Sequence, residues 1–190
     1  MKIAGVLGLA VLLLIWAPPW GAWVGMFPAH MVRHMGLVAV AAPLLVLGFP
    51  TWTSIFAVSP LLAAVLEFVV VWGFHLPAMH QAAMHSSTAF VVEQGVFLIV
   101  GLCVWAGCLR TGGLAGAGGL LLTSMHMTLL GALLTLAPRP LYRMGEMADG
   151  ALAEQQLGGM LMLAIGTPIY LVAGLWLVSG TLALDKEQIP

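Results

Sequence analysis

Charge is what this chain has least of. Lys and Arg number 6, and Asp and Glu 7, in 190 residues, or 7%, against about 25% in a soluble domain. With 62% of the residues hydrophobic and a mean hydropathy of +1.08, a water-soluble globular protein is excluded. The net charge of -1 leaves no basic surface for nucleic acid. Cysteine is nearly as scarce. Cys103 and Cys108 lie five apart in an apolar run, so on one helix they face different directions. No CxxC redox or zinc motif exists and no disulfide is expected. No nucleophile–base constellation or phosphate-cradling loop occurs, so the protein is not expected to be an enzyme. The glycine-rich stretch 112–119 is short and reads as a tight loop. No internal repeat or low-complexity tract stands out.

What is there is hydrophobic length. Crossing a bilayer takes about 20 apolar residues in a helix, and six such runs can be drawn, at about 3–17, 30–47, 54–74, 87–109, 115–137 and 154–180. They predict an all-α, polytopic helical bundle in a single membrane domain, 1–190. Pro18-Pro19, Pro50, Pro77, Pro138 and Pro140 punctuate the loops, where proline ends helices. The first run is short and follows a Lys, like a secretory leader. Pro18, Pro19 and two Trp follow it instead of small residues, so it reads as an anchor helix. The positive-inside rule ends in a tie: Lys2, Arg110 and Lys186 fall on one side, Arg33, Arg139 and Arg143 on the other, the latter with Glu146 and Asp149.

Histidine and methionine carry the chemistry. Five of six histidines stand beside a methionine: His30-Met31, His34-Met35, Met79-His80, Met84-His85 and Met125-His126-Met127. Only His75 has no such neighbour. With 12 Met in the chain, a random position has a Met beside it about one time in eight. Imidazole with soft thioether suits copper, Cu(I) above all. The alternative is that Met fills irregular packing gaps. His30 and His34 are one helical turn apart and could clamp a metal. His80 and His85 would diverge by about 140° on a continuous helix and need a bend to share an ion. His126 is a ligand, a proton-handling group or a hydrogen-bonded core histidine.

Six spans put His30, His34, His75, His80, His85 and the segment Glu154-Gln155-Gln156 at one membrane face, with Glu93 about 10 Å below it. His126 alone lies near mid-span. Glu93 and Glu67 are intramembrane carboxylates, which invite a functional reading. Glu93 could accept from a histidine ring and fix its tautomer. Glu67, deeper, is cheapest in its neutral form, and interhelical hydrogen bonding would also explain it. Arg33 could neutralise Glu93 or Glu154, or reach the headgroups.

Several of these residues fall into a known pattern. The run His30-Met-Val-Arg-His34-Met35, followed by Pro43-Leu-Leu-Val-Leu-Gly48, resembles the opening motif of the CtaG-type cytochrome c oxidase assembly factors. Trp72-Gly-Phe-His75-Leu-Pro77 is similar to that family's Trp-x-x-His-x-Pro segment. His85 and Glu93 fall where the family carries further His and a Glu-His pair. Leu130 to Ala137 with Pro140-Leu-Tyr142 resembles its fifth block, and Glu154-Gln-Gln-Leu-Gly-Gly159 its Asp-Gln-Gln-x-x-Gly motif. The likeness covers about residues 28–178. The chain departs in having Gln94 for the paired His, which leaves His80 or His85 to substitute, in having Glu154 for Asp, and in lacking a Trp after the Gln-Gln-Gly block.

The resemblance implies a helper that delivers copper to a haem-copper oxidase. Its partners would be an oxidase subunit or another copper chaperone. It would sit among lipid in a bacterial inner membrane, with the histidine cluster toward the outer, periplasmic face. The oligomeric state, a dimer included, stays open. Two other readings remain: a haem-b-binding electron carrier with axial histidines, and a structural or regulatory oxidase subunit.

Overall fold

The computed structural model describes residues 2–142 and 150–187, with side chains to Ala183. Arg143, Glu146 and Asp149, and the side chain of Lys186, lie outside the described residues. Every regular element among those described is helical, as lipid demands of a chain whose backbone groups must be satisfied internally. The elements are α1 (Lys2–Trp16), α2 (Trp20–Val24), α3 (Met26–Met35), a π-helical stretch (Gly36–Ala41), α4 (Ala42–Gly48), a 3-10 turn (Trp52–Phe56), α5 (Pro60–Phe74), α6 (Pro77–His85), α7 (Ser87–Thr111), α8 (Gly113–Leu136) and α9 (Ala151–Glu187).

Four helical rods are long and apolar enough to cross a bilayer: Met26–Gly48, Ser87–Thr111, Gly113–Leu136 and Ala151–Ala183. α5 and α6 together would make a fifth, but they are bent 72° apart. The chain is an integral membrane protein, and the expected count of six spans is approximate. α1 has 15 residues, about 22 Å of helix against a hydrocarbon core of about 30 Å. It runs antiparallel to the Met26–Gly48 rod, with Gly5 against Gly48 at one end and Ile15 against Gly36 at the other. The third run begins at Pro60 and not at 54. Ser59 caps α5, its hydroxyl accepting from the Leu62 N–H at 3.4 Å, and Pro60 takes the first helical position, where its missing N–H costs nothing. Ser86 caps α7 in the same way, accepting from Ala89. Leu76-Pro77 ends α5 as the sequence predicts, and Pro77 starts α6.

α9 lies between α3 and α8, and its glycines set the distance. A Cβ on Gly158 would meet Phe27 of α3, and one on Gly166 would stand 2.9 Å from the Met35 sulfur. On the other side, a Cβ on Gly159 would lie 2.7 Å from the Gly131 carbonyl oxygen of α8. Small residues at such crossings let helices approach closely where no hydrophobic effect drives them together. Polar groups add to this seam. The Thr128 and Thr167 hydroxyls are 2.8 Å apart, and Ser124 donates to the Thr167 carbonyl, next to Pro168. Around mid-membrane, Glu67 is fully buried, with Oε1 2.9 Å from the Tyr170 hydroxyl. That hydroxyl also lies 2.9 Å from the Val38 carbonyl. One O–H cannot donate twice. The arrangement closes when Tyr170 donates to Val38 and Glu67, as the carboxylic acid, donates to Tyr170. Glu67 is thus an interhelical strut.

The expected consequence of the glycine seam is that Gly159→Leu should lower stability by about 1–3 kcal/mol, the usual cost of overpacking. A thermal-unfolding series in detergent, with the exposed-site Gly118→Leu as control, measures it.

Candidate metal centre

Five histidine rings meet at one end of the bundle or just beneath it. α3 contributes His30 and His34, the end of α5 His75, α6 His80 and α8 His126, and all five are buried. The rings of His30 and His80 are 4.7 Å apart, those of His30 and His75 6.0 Å, and those of His34 and His75 5.2 Å. His126, on α8, stands edge-on to Phe68 at 5.5 Å. Glu93 enters from α7, its Oε2 3.5 Å from His30 Nδ1, and Gln94 Nε2 donates to the same oxygen at 3.4 Å.

One donor atom each from His30, His80 and Glu93 falls within 4.8 Å of the others. Three donors bound at about 2 Å to a common ion stand about 3.5 Å apart, so side-chain adjustments of about 1 Å would close them around a metal. The bend between α5 and α6 makes this possible. Without it His80 could not turn back over α3.

Hydrogen bonding prepares the rings. His75 Nδ1 lies 2.6 Å from the Val71 carbonyl, so Nδ1 carries the proton and Nε2 presents its lone pair. Nε2 has no partner. His30 Nε2 is likewise free, as are both ring nitrogens of His34, His80 and His126. That makes eight buried, unpartnered imidazole nitrogens among the described residues. Each such group costs about 1–3 kcal/mol. Clusters like this one are expensive as packing and useful as ligands.

The structure separates the methionines from their neighbouring histidines. Adjacent residues on a helix point about 100° apart. While His30 and His34 face α5 to α7, Met31 and Met35 face α9, packed against Gly158 and Gly166. Met127 is buried in the core, and Met125 and Met79 are exposed on the apolar surface. None of these five methionines joins the ring cluster. Met84 and the exposed His85 sit outside it, on the wall of a pocket of about 280 Å³ that reaches His30. The donor atoms that converge on one point are those of two imidazoles and a carboxylate.

Arg33 and Glu154 also lie elsewhere than expected. Arg33 pairs with neither carboxylate among the described residues. Its guanidinium stands over the Phe90 ring at 5.8 Å. Glu154 Oε2 accepts from the Phe27 N–H at 3.3 Å, satisfying the start of α3, where negative charge is favoured. Its carboxyl is seated on Gly25, which has φ +95°, and a Cβ there would come within 2.6 Å of the carboxyl carbon. Gln155 ties down the following connection, accepting from Leu141 N–H at 2.7 Å and donating to the Leu134 carbonyl at 3.2 Å. The Glu-Gln pair of α9 thus holds the helix start and the loop that frame the site.

Two more residues complete the cluster: Phe97, which sequence reasoning did not single out, and Tyr142, which it named only within the Pro140-Leu-Tyr142 block. Phe97 stacks on His34 at 4.1 Å. It lies one turn beyond Glu93, a spacing that could have flagged it. Tyr142 stacks on Phe27 at 4.9 Å and touches His80 at 4.5 Å, and its hydroxyl donates to the His75 carbonyl at 2.8 Å. Burial pushes its phenol above the ordinary value, so it stays a donor. It comes from a loop, where no periodicity points inward.

Glu154→Gln should lower thermal stability by about 0.3–1 kcal/mol, the worth of a charge at a helix start, and should leave metal stoichiometry unchanged. Parallel melting curves and metal analysis of the variant check both halves.

No curated protein and no solved structure matches the chain. A family match covers residues 2–183, nearly all of it, and so includes the helices that carry all five rings and Glu93. The chain belongs to the cytochrome c oxidase caa3 assembly factor family (Caa3_CtaG).

Proposed function

We propose that the protein binds copper as Cu(I) in the cluster of His30, His80, His75 and Glu93 and passes it to the oxidase whose assembly its family serves. The observation that carries this reading is the convergence of His30, His80 and Glu93 donor atoms within 4.8 Å, beside buried ring nitrogens that have no other partner. Imidazole is a good copper ligand, and Cu(I) is content with few donors. Glu93 on His30 Nδ1 is the carboxylate–histidine arrangement that orients a ligating ring and raises its basicity. His34 and His126 continue the row of rings inward. The acceptor is an oxidase subunit or another copper chaperone. The cluster faces the outer side of a bacterial inner membrane, and no catalysis is required.

Metal analysis of the purified protein tests this directly. Wild type should bind Cu(I). His30→Ala and His80→Ala should each weaken binding by at least about tenfold, in line with the loss of a first ligand or its support. Met31→Leu, a change at a packing position, should leave it intact. Equal copper in all three variants would remove the site, and a Soret band in place of copper would favour a haem carrier.

Binding should also weaken as pH falls. A proton and copper compete for the same imidazole lone pair. Copper retained at pH 7.5 should therefore be released as the medium is made strongly acidic in an equilibrium titration.

In cells lacking the protein, the oxidase should assemble deficient in copper, and excess copper should partly restore its activity. A copper-replete, fully active oxidase in the deletion strain under copper limitation would overturn the delivery role. A copper-free protein that co-purifies with the mature oxidase in fixed ratio would favour the structural-subunit reading.

A further inference from the structure

The buried rings have a way in. A pocket of about 280 Å³ opens between the start of α3, the end of α6 and the start of α7, and its lining includes His30, Met26, Met84, His85, Arg33 and Phe90. His30 is 2% exposed, whereas His85 is an exposed residue and Met26 is 54% exposed. The same small cavity thus has a buried imidazole of the cluster in its wall and two thioethers with a second imidazole toward its open side.

From this arrangement we infer that Met84 and His85 form a transit site for Cu(I), a first landing point from which the ion is handed to His30. The inference rests on the copper reading above and adds a route to it. The chemistry fits a step rather than a store. Thioether and imidazole are soft enough to take Cu(I) from a donor. They sit at the end of α6, where Ser86 breaks the helix before α7, with Met84 half-buried and His85 exposed. At the inner end Glu93 Oε2 stands 3.5 Å from His30 Nδ1, and a carboxylate there favours a cation. No electron changes hands. Cu(I) stays Cu(I), and each new Cu–N bond forms as a Cu–S or Cu–N bond to the outer pair breaks.

The route separates rate from affinity. The full chain in detergent is loaded with Cu(I), and withdrawal by excess bathocuproine disulfonate is followed by the colour of the copper–chelator complex. The double variant Met84→Ala/His85→Ala should reach the wild-type copper stoichiometry, which also reports that it is folded, but load and release about tenfold more slowly, a barrier change of about 1.4 kcal/mol. His85→Met should keep the fast exchange, because a thioether can replace the imidazole as a soft stepping point. His30→Ala should lose the slow-exchanging copper altogether. Double-variant rates equal to wild type, or a double variant that loses its copper stoichiometry, would overturn the transit role while leaving the buried site standing. A wild-type protein that takes up no Cu(I) would overturn the copper reading and the route together.

Discussion

The site depends on keeping several imidazole rings uncharged and close together where little water reaches. Rings 4.7 to 6.0 Å apart cannot all be cations, because two like charges at such a distance in a poorly screened medium repel by several kcal/mol. Uncharged, they are pairs of donor and acceptor nitrogens with few protein partners. Aromatic neighbours hold them in place. Phe97 covers His34, Phe27 and Tyr142 flank His80, and Tyr142 ties the His75 backbone. Apolar faces fix the positions of the rings without consuming their lone pairs. Hydrogen bonds to both nitrogens of a ring would have held it equally well and left no lone pair free.

The rest of the bundle follows from placing those rings. α9 supplies no ring, yet its Glu154 starts α3 and its Gln155 anchors the connection that delivers Tyr142. Its glycines allow α3 to lie close, so Met31 and Met35 can fill the seam while His30 and His34 look the other way. The α5–α6 bend brings His80 over the top. The Glu154-Gln155 motif therefore frames the site, and the plain segment around Phe97 lies at the heart of the cluster.

Much of this was legible before any coordinates. Long apolar runs and proline positions gave most helices to within a few residues, except at α5, where Ser59-Pro60 sets the start, and at α9, which runs seven residues past the expected 180 to Glu187. The gathering of His30, His75, His80 and Glu93 at one end followed from counting spans. The methionines were less telling than the histidines, because adjacency in sequence is not adjacency in space on a helix. His–Met pairs share a peptide bond but look toward different neighbours. His80 was ambiguous, since only the 72° bend decides where α6 goes. Tyr142 stood in a quoted motif, but its place against His80 was not legible because loops carry no periodicity. Arg33 was given a carboxylate or the headgroups as partners, and its guanidinium stands over the face of an aromatic ring, a partner that charge counting overlooks.

The π-helical stretch Gly36–Ala41 has a consequence for how the long second rod works. Such a stretch amounts to one residue added to an α-helix, and each residue turns the helix by about 100°. The added residue therefore uncouples the two halves of the rod in azimuth. Above it, the histidine face looks toward α5 to α7. Below it, Leu45 and Gly48 look toward α1. At the join, the Val38 carbonyl is free to take both the Trp105 indole and the Tyr170 hydroxyl. The rod behaves as two helices welded at an angle of rotation, so the histidine-bearing half and the packing half can each meet a requirement that a single uninterrupted α-helix would force into compromise.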